Sequence, residues 1–501
     1  MLLCFMLLFA AFSAFHCSLL FKLLFFAGSL VAALCSMLLL KASSAINSAA
    51  YGSFVLVLIA PLLLLPELCS CSLSTFNGTQ QLLLLPMPFG CVALMACSDA
   101  LSMLLVALSA LLLPSLLYSS IIAAYSLLLY ALLLSSSALI VAAFVTADML
   151  LFFMLFEAAL LPLLIMLLLY GSSNKLLAAL RLVLYTMLGS IAFLIALLMI
   201  AASIGSFNIA ALGYVPIAPA LQKLLWALLI LAMLVKLPSW PLHSWLPHAH
   251  SEAPSAGSVL LAALVLKLSC FGILRYLAPL CSIANSYYAA LLHVCAFISL
   301  LYASLAALRQ IDAKRLIAYS SIAHMALVLL GCSLCSYSSI LGCLMLLWAH
   351  ALSAALLFYL IGTLYERTHT RLFKYMKATM VAMPLWSLLF LAANLANMAL
   401  PSTSNFVAEL LILSSSYKSS LELSCLMALS MLFAGAYALW LYSRIALGAV
   451  SSVLASKALD VAAYELLALM PLLLAMLLSG LLPTMLLNKL FSYAALCSLA
   501  Y

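Results

Sequence analysis

The sequence predicts an all-α polytopic membrane protein of about 14 transmembrane helices, arranged as two inverted five-helix repeats with discontinuous helices. Three observations predict it. Of 501 residues, 69% are apolar and only 6% charged, whereas a soluble domain carries roughly 45–50% and 25%. Long apolar runs follow one another with minimal loops. Two of those runs are broken at proline, 163 residues apart. The composition excludes a soluble enzyme, a nucleic-acid binder and a disordered chain, because too little polar surface exists to cover a globule in water. The net charge of +8 sits in short loops and does not form a basic patch.

A spanning helix needs about 17–25 mostly apolar residues. The runs that qualify are 1–21, 23–40, 101–118, 120–141, 147–170, 176–204, 221–238, 255–280, 286–305, 316–333, 338–363, 380–417, 424–447 and 464–487. The first, Met1–Phe21, is too long and lacks the basic start of a cleavable signal, so it reads as a span. Two shorter stretches, 53–66 and 82–98, are left open, and counting both or neither preserves the parity. Leu, Ala and Met dominate and alternation is absent, which argues helix over barrel strand. The organisation expected is N-terminal helices over 1–118, a first bundle over 119–280, a second and inverted bundle over 281–447, and a C-terminal helix and tail over 448–501.

Lys and Arg set the orientation. Connections after odd-numbered spans hold twelve of them, among them Lys175, Arg181, Arg309, Lys314, Arg315, Arg367, Arg371 and Arg444; connections after even-numbered spans hold four, Lys41, Lys223, Arg275 and Lys418. The odd-following loops are therefore expected on the cytoplasmic or matrix side, with both termini opposite. No loop is long enough for a catalytic domain outside the membrane.

Ionisable groups inside spans carry the functional signal, since one at the bilayer centre costs about 2.5–3.5 kcal/mol on insertion scales. Six spans hold one each: Glu157, Lys236, Lys267, His324, His350 and Glu409. The bland alternative, inert helix packing, is achieved more cheaply with Ser or Gly, so a functional role is the better reading. Asp148, Arg275 and Lys223 lie near span ends; Asp148 is expected at an interface, the two cations to snorkel to water.

The helix breaks fall at Leu237-Pro238-Ser239 and Leu400-Pro401-Ser402. Proline removes a hydrogen bond, and the freed backbone is tolerated in a membrane where it lines a buried or hydrated cavity. Leu184 and Ser190 match Leu347 and Ser353 at the same 163-residue offset. Five helices per unit put the second copy in the membrane upside down, the arrangement of many ion transporters. After the first break come His243, His248, His250 and Glu252, between Pro241, Pro247 and Pro254. Their spacing fits no helical metal-ligand pair, so no metal site is expected. An extended, turn-rich segment is expected, its histidines bonding the unwound backbone or relaying protons. The fifteen cysteines, Cys332 and Cys335 included, read as small hydrophobes. The sequon Asn77-Gly78-Thr79 reads as chance.

The segment Val235-Lys236-Leu237-Pro238-Ser239-Trp240-Pro241-Leu242-His243-Ser244-Trp245-Leu246-Pro247-His248-Ala249-His250-Ser251-Glu252-Ala253-Pro254 closely resembles the signature of the antiporter-like subunits of respiratory complex I, and Leu316–Met325 is a second such segment. The similarity covers about residues 95–450. Length, and an acid at Glu409 where the types numbered 2 and 5 carry lysine, resemble the branch numbered 4. The resemblance implies an interacting Glu157–Lys236 pair, Lys267 as central relay, Glu409 as terminal site, and His324 and His350 continuing the polar axis. It implies no cofactor on this chain, with NADH, FMN, iron–sulfur clusters and ubiquinone in other subunits. Antiporter-like subunits 2 and 5 and membrane lipids are the partners it implies. The alternative is a subunit of a cation/proton (Na⁺/H⁺) antiporter complex; a purely structural spacer is the third reading. Sparse charge and short loops point to the mitochondrial inner membrane, with a bacterial plasma membrane as the alternative.

Overall fold

The computed structural model describes residues 80–87, 90–96, 99–122, 127–209, 217–450 and 459–500. The expected spans 1–21 and 23–40 and the open stretch 53–66 lie outside the described residues. The other open stretch is not a span. Gln80–Met87 (β1) pairs antiparallel with Gly90–Ala96 (β2). Pro86, Pro88 and Gly90 leave too few uninterrupted residues there for a helix.

Helices follow. They are α1 (Ala100–Ile122), α2 (Leu127–Val145), α3 (Met149–Tyr170), α4 (Lys175–Ile204), α5 (Pro219–Lys236), the short α6 (Trp245–Glu252) and α7 (Ser255–Leu280). After these come α8 (Ser282–Leu308), α9 (Ala313–Leu334), α10 (Tyr337–Thr368), α11 (Pro384–Asn397), α12 (Ser404–Ser419), α13 (Leu421–Ala446), α14 (Ala463–Leu481) and α15 (Thr484–Ala500). Among the described residues eleven helices are long and apolar enough to cross a membrane. The 380–417 run is two helices, α11 and α12. The 464–487 run ends at Leu481, and beyond Pro483 the chain folds into α15 where a tail was expected.

The inverted repeat is visible in backbone hydrogen bonds. Asp148 bridges Asn208 and Asp312 bridges Leu372, each an isolated antiparallel contact. In the first, Met149 N donates to Phe207 O and Ile209 N to Ala147 O; in the second, Ala313 N donates to Arg371 O and Phe373 N to Ile311 O. Each bridge joins the start of one helix to the end of the next, α3 to α4 and α9 to α10. Five membrane crossings separate α3 from α9, so the bridges mark opposite ends of the bundle.

The end holding the second bridge also gathers the basic loops. Glu252 accepts from Asn174 N at 3.2 Å, Lys314 Nζ donates to Ala253 O at 3.1 Å, and Arg367 pairs with Glu465 at 2.7 Å. These contacts put the loops after α3, α6, α8 and α10 on one side, as the Lys/Arg asymmetry requires.

In the centre, an 18-residue stretch of α7 and one of α10 are wholly buried and that of α9 is 94% buried, whereas the corresponding stretches of α4 and α13 are 33% and 28% buried. The three shielded helices are those that carry Lys267, His350 and His324, so those charges have neighbours other than lipid. One sequence expectation is corrected here. Arg275 does not reach water: it is buried in the second π-helical turn of α7, Ile273–Leu277, and pairs with Asp99 at 2.8 Å. Asp148 is the N-cap of α3, buried, accepting from Leu150 N and Leu151 N; those two amides would otherwise be orphaned. Removing one partner of a buried pair costs about 3–5 kcal/mol. Arg275→Leu is accordingly expected to lower the unfolding temperature of the detergent-solubilised protein, and an unchanged transition would show the pair to be dispensable.

Candidate proton-transfer site

The first break positions Lys236. It is the last residue of α5, next to the helix's outward-pointing carbonyls, where a cation is favoured. Its Nζ lies 3.0 Å from Glu157 Oε1 and donates to Phe156 O at 2.8 Å. That carbonyl is near the interruption of α3 at Ala159, three residues before Pro162. Lys236 is buried, Glu157 about a quarter exposed (27%), so one member of the pair meets the surroundings of the bundle.

Lys267 follows a π-helical turn, Leu261–Val265. Such a turn leaves a carbonyl short of its usual partner, and Lys267 Nζ donates to Ala262 O at 2.7 Å. Its second neighbour is His350 Nδ1, at 2.9 Å. The rings of His350 and His324 are 5.4 Å apart, and His324 Nδ1 is 3.3 Å from Glu409 Oε1. Lys267, His350, His324 and Glu409 are all at most 2% exposed. They form one polar line across α7, α10, α9 and α12.

The second break starts α12 and so places Glu409. The freed end of α11 is stabilised by Asn405, whose Nδ2 donates to Ala396 O at 2.8 Å. Glu409 and His324 line a small cavity with Ser304, Ser430 and Tyr437, of a size to hold about one water.

The histidine cluster behaves differently from expectation. Trp245–Glu252 is helical, Pro247 sitting in its first turn, where its missing N–H is not needed. His250 stacks on Phe358 at 4.5 Å and His243 packs edge-on to Tyr302 at 5.0 Å. Among the described residues no group of His, Cys, Asp and Glu is arranged to hold a metal ion. Glu252 is the structural member: it accepts from Ser172 Oγ and faces Arg371, 3.4 Å away. Burial pushes its carboxyl up, but Ser172, Arg371 and the Asn174 amide outweigh that and hold it below the usual range.

Sequence reasoning missed the Asp99–Arg275 and Arg367–Glu465 pairs, the burial of Lys314, and Tyr437. Each lies at a span edge or looks like an ordinary residue of its run. Only the three-dimensional partner distinguishes it.

Residues 146–435, more than half the chain, match the family described as NADH:quinone oxidoreductase/Mrp antiporter, TM. The chain belongs to that family. Among NADH:quinone oxidoreductase/Mrp antiporter proteins it is similar to NADH-ubiquinone oxidoreductase chain 4 of Chondrus crispus, 38% identical over 315 residues, covering 63% of this chain and 64% of that one. It is also similar to NADH-quinone oxidoreductase subunit M of Rickettsia typhi, 38% identical over 322 residues, covering 64% and 65%. The chain thus aligns with a little under two thirds of the length of these relatives. In structure it resembles a chain of respiratory complex I from Thermus thermophilus, with TM-score 0.83, 29% identity and coverage of 95% of this chain and 99% of the other. A chain of the Mrp complex from Dietzia shares the fold at TM-score 0.82 and 20% identity, covering 95% and 96%.

Proposed function

We propose that this chain is a proton-translocating membrane subunit of an NADH:quinone oxidoreductase, moving protons through Glu157, Lys236, Lys267, His350, His324 and Glu409. The observation that carries the reading is the line from Lys267 to Glu409. Four titratable side chains on four helices touch or nearly touch where apolar packing alone would do, and burying them unpaired is costly. The redox groups (NADH, FMN, iron–sulfur clusters and ubiquinone) belong on this reading to other subunits, with antiporter-like subunits 2 and 5 as neighbours. The names of the relatives support it, and so does the absence of long loops. The basic loops face the matrix of a mitochondrion, or the cytoplasm if the membrane is bacterial.

The Glu157–Lys236 pair is the input switch. At an effective dielectric near 20, charges 3.0 Å apart attract by about 5.5 kcal/mol, and by about 2.4 kcal/mol at about 7 Å. Opening the pair therefore changes the stability of the Lys236 proton by about 3 kcal/mol. Moving one charge against 100 mV takes about 2.3 kcal/mol, so one such opening suffices. Released from Glu157, Lys236 passes its proton towards Lys267; re-paired, it recaptures one.

Glu157→Gln removes the switch but keeps the side-chain volume. In the assembled complex reconstituted into vesicles, the variant is expected to pump fewer protons per electron while subunit content stays normal. A normal ratio would overturn the assignment. Transport that requires Na⁺ and persists without electron transfer would favour a cation/proton antiporter subunit instead.

A further inference from the structure

Cys270, Cys332 and Cys343 come from α7, α9 and α10, the same three shielded helices that carry Lys267, His324 and His350. The Cys270 and Cys332 sulfurs are 3.8 Å apart, as are those of Cys332 and Cys343, and Cys343 Sγ donates to Val328 O at 3.3 Å. All three are buried free thiols. Their spacing from the relay is helical. Cys270 is one turn after Lys267, Cys332 is eight residues after His324, and Cys343 is seven residues before His350. Each thiol therefore shares a face with its helix's relay group. The opposite signs on α9 and α10 suit two antiparallel neighbours, so the thiols form a layer about 10–12 Å from the histidines at 1.5 Å per residue.

We infer that this thiol cluster is an oxidation site: a peroxide converts Cys332 and one neighbour into a disulfide, which staples α9 to α7 or to α10 and stops the relay. The sulfurs are already in van der Waals contact and need only close to about 2.05 Å. Hydrogen peroxide, small and uncharged, can reach a site buried in apolar surroundings. The Cys332 sulfur attacks one peroxide oxygen, the O–O bond breaks, and a sulfenic acid and one water form, the thiol proton leaving with the water. The neighbouring thiol then attacks the sulfenic sulfur, forming the S–S bond and releasing the second water. Two thiols are oxidised and one peroxide is reduced. The third thiol can attack Cys332 and move the bond between the two pairs by exchange.

Closing the bond draws two helices together by about 1–2 Å at the thiol layer, given the disulfide length. The bundle is packed tightly there: a Cβ placed on Gly331 would overlap the Cys343 sulfur. A close-packed interior transmits such a shift, and Lys267–His350, at 2.9 Å, is a relay contact that bridges α7 and α10.

The functional half of this inference rests on the proposed proton translocation; the chemical half does not. The test uses the intact complex in vesicles, treated with hydrogen peroxide, then alkylated, digested without reductant and analysed by mass spectrometry. Expected is a linked peptide joining Cys332 to Cys270 or Cys343, two hydrogens lighter than its parts. Proton pumping per electron should fall with it and be restored by dithiothreitol. Cys332→Ala should form neither link and keep pumping after the same treatment; Cys270→Ala should still link Cys332 to Cys343. Three unlinked thiols after treatment would overturn the site. A disulfide that leaves pumping unchanged, or a Cys332→Ala complex inhibited as wild type is, would overturn the switch. A complex that pumps no protons before oxidation would instead refute the proposed function and leave the disulfide result standing.

Discussion

Replacing Lys267 by Met is expected to remove proton translocation through this chain while the helices and the assembled complex persist. Lys267 has two neighbours, Ala262 O and His350 Nδ1, and among the described residues no carboxylate lies within ion-pair distance of it. The carbonyl fixes the direction of the ammonium group, and His350 is the base that can take its proton. Methionine has nearly the same volume and flexibility, so packing survives, but it has no proton to give. Losing a positioned acid or base typically slows proton transfer by about 10²–10⁴-fold. Lys267→Arg sharpens the test. Guanidinium keeps the charge and the hydrogen-bond capacity yet holds its proton at all physiological pH. If charge alone mattered, Arg would restore function; if the proton must leave, Arg fails as Met does. The measurement is protons pumped per electron in vesicles, with complex abundance on native gels as the control for folding. Normal pumping by Lys267→Arg would show that Lys267 is a fixed counter-charge and that the relay runs elsewhere.

The groups of this site were legible in the sequence, but apart from the Glu157–Lys236 pair that the family resemblance implied, their partners were not. Glu157 or Lys267 inside a run of Leu and Ala is conspicuous because hydrocarbon tolerates no solvated charge. Nothing in one dimension says that His350 meets Lys267, or that His324 meets Glu409, because those contacts depend on crossing helices. The proline breaks were readable for the same reason as the charges: each is costly inside a span. At Leu400-Pro401-Ser402 the break falls where it was read, between the end of α11 at Asn397 and the start of α12 at Ser404. The 82–98 stretch stayed open for a different reason. A short apolar run looks the same as helix or strand, and only the pairing of β1 with β2 settles it. Arg275 was misread because a long side chain near a span end has two ways to satisfy its charge, water or a buried acid. The acid, Asp99, is far away in sequence. Cysteine gave no signal at all, being as apolar as its neighbours until three sulfurs meet.

Gly480→Ala is expected to be damaging out of proportion to its size, and to act on Glu409 from a distance. A Cβ on Gly480 of α14 would lie closer than 3.0 Å to backbone atoms of Ser402, Thr403 and Ser404. Those residues are the second break and the first turn of α12, with Ser402 already at a positive φ of 92°. Backbone there has no flexible end that could swing aside, so either α14 retreats or α12 shifts. Overpacking of this kind typically costs about 1–3 kcal/mol. Glu409 begins the second turn of α12, and its 3.3 Å approach to His324 depends on where that helix starts. The variant should therefore unfold at lower temperature in detergent and translocate fewer protons, although Gly480 carries no ionisable group. Gly435→Ala is the control: a Cβ there meets nothing within 4 Å, and alanine is the better helix former by about 1 kcal/mol. It should be neutral or slightly stabilising. Two glycine-to-alanine changes of identical chemistry should thus diverge in both stability and pumping. If they do not, the close seat of α14 on the break is not what holds Glu409 in line.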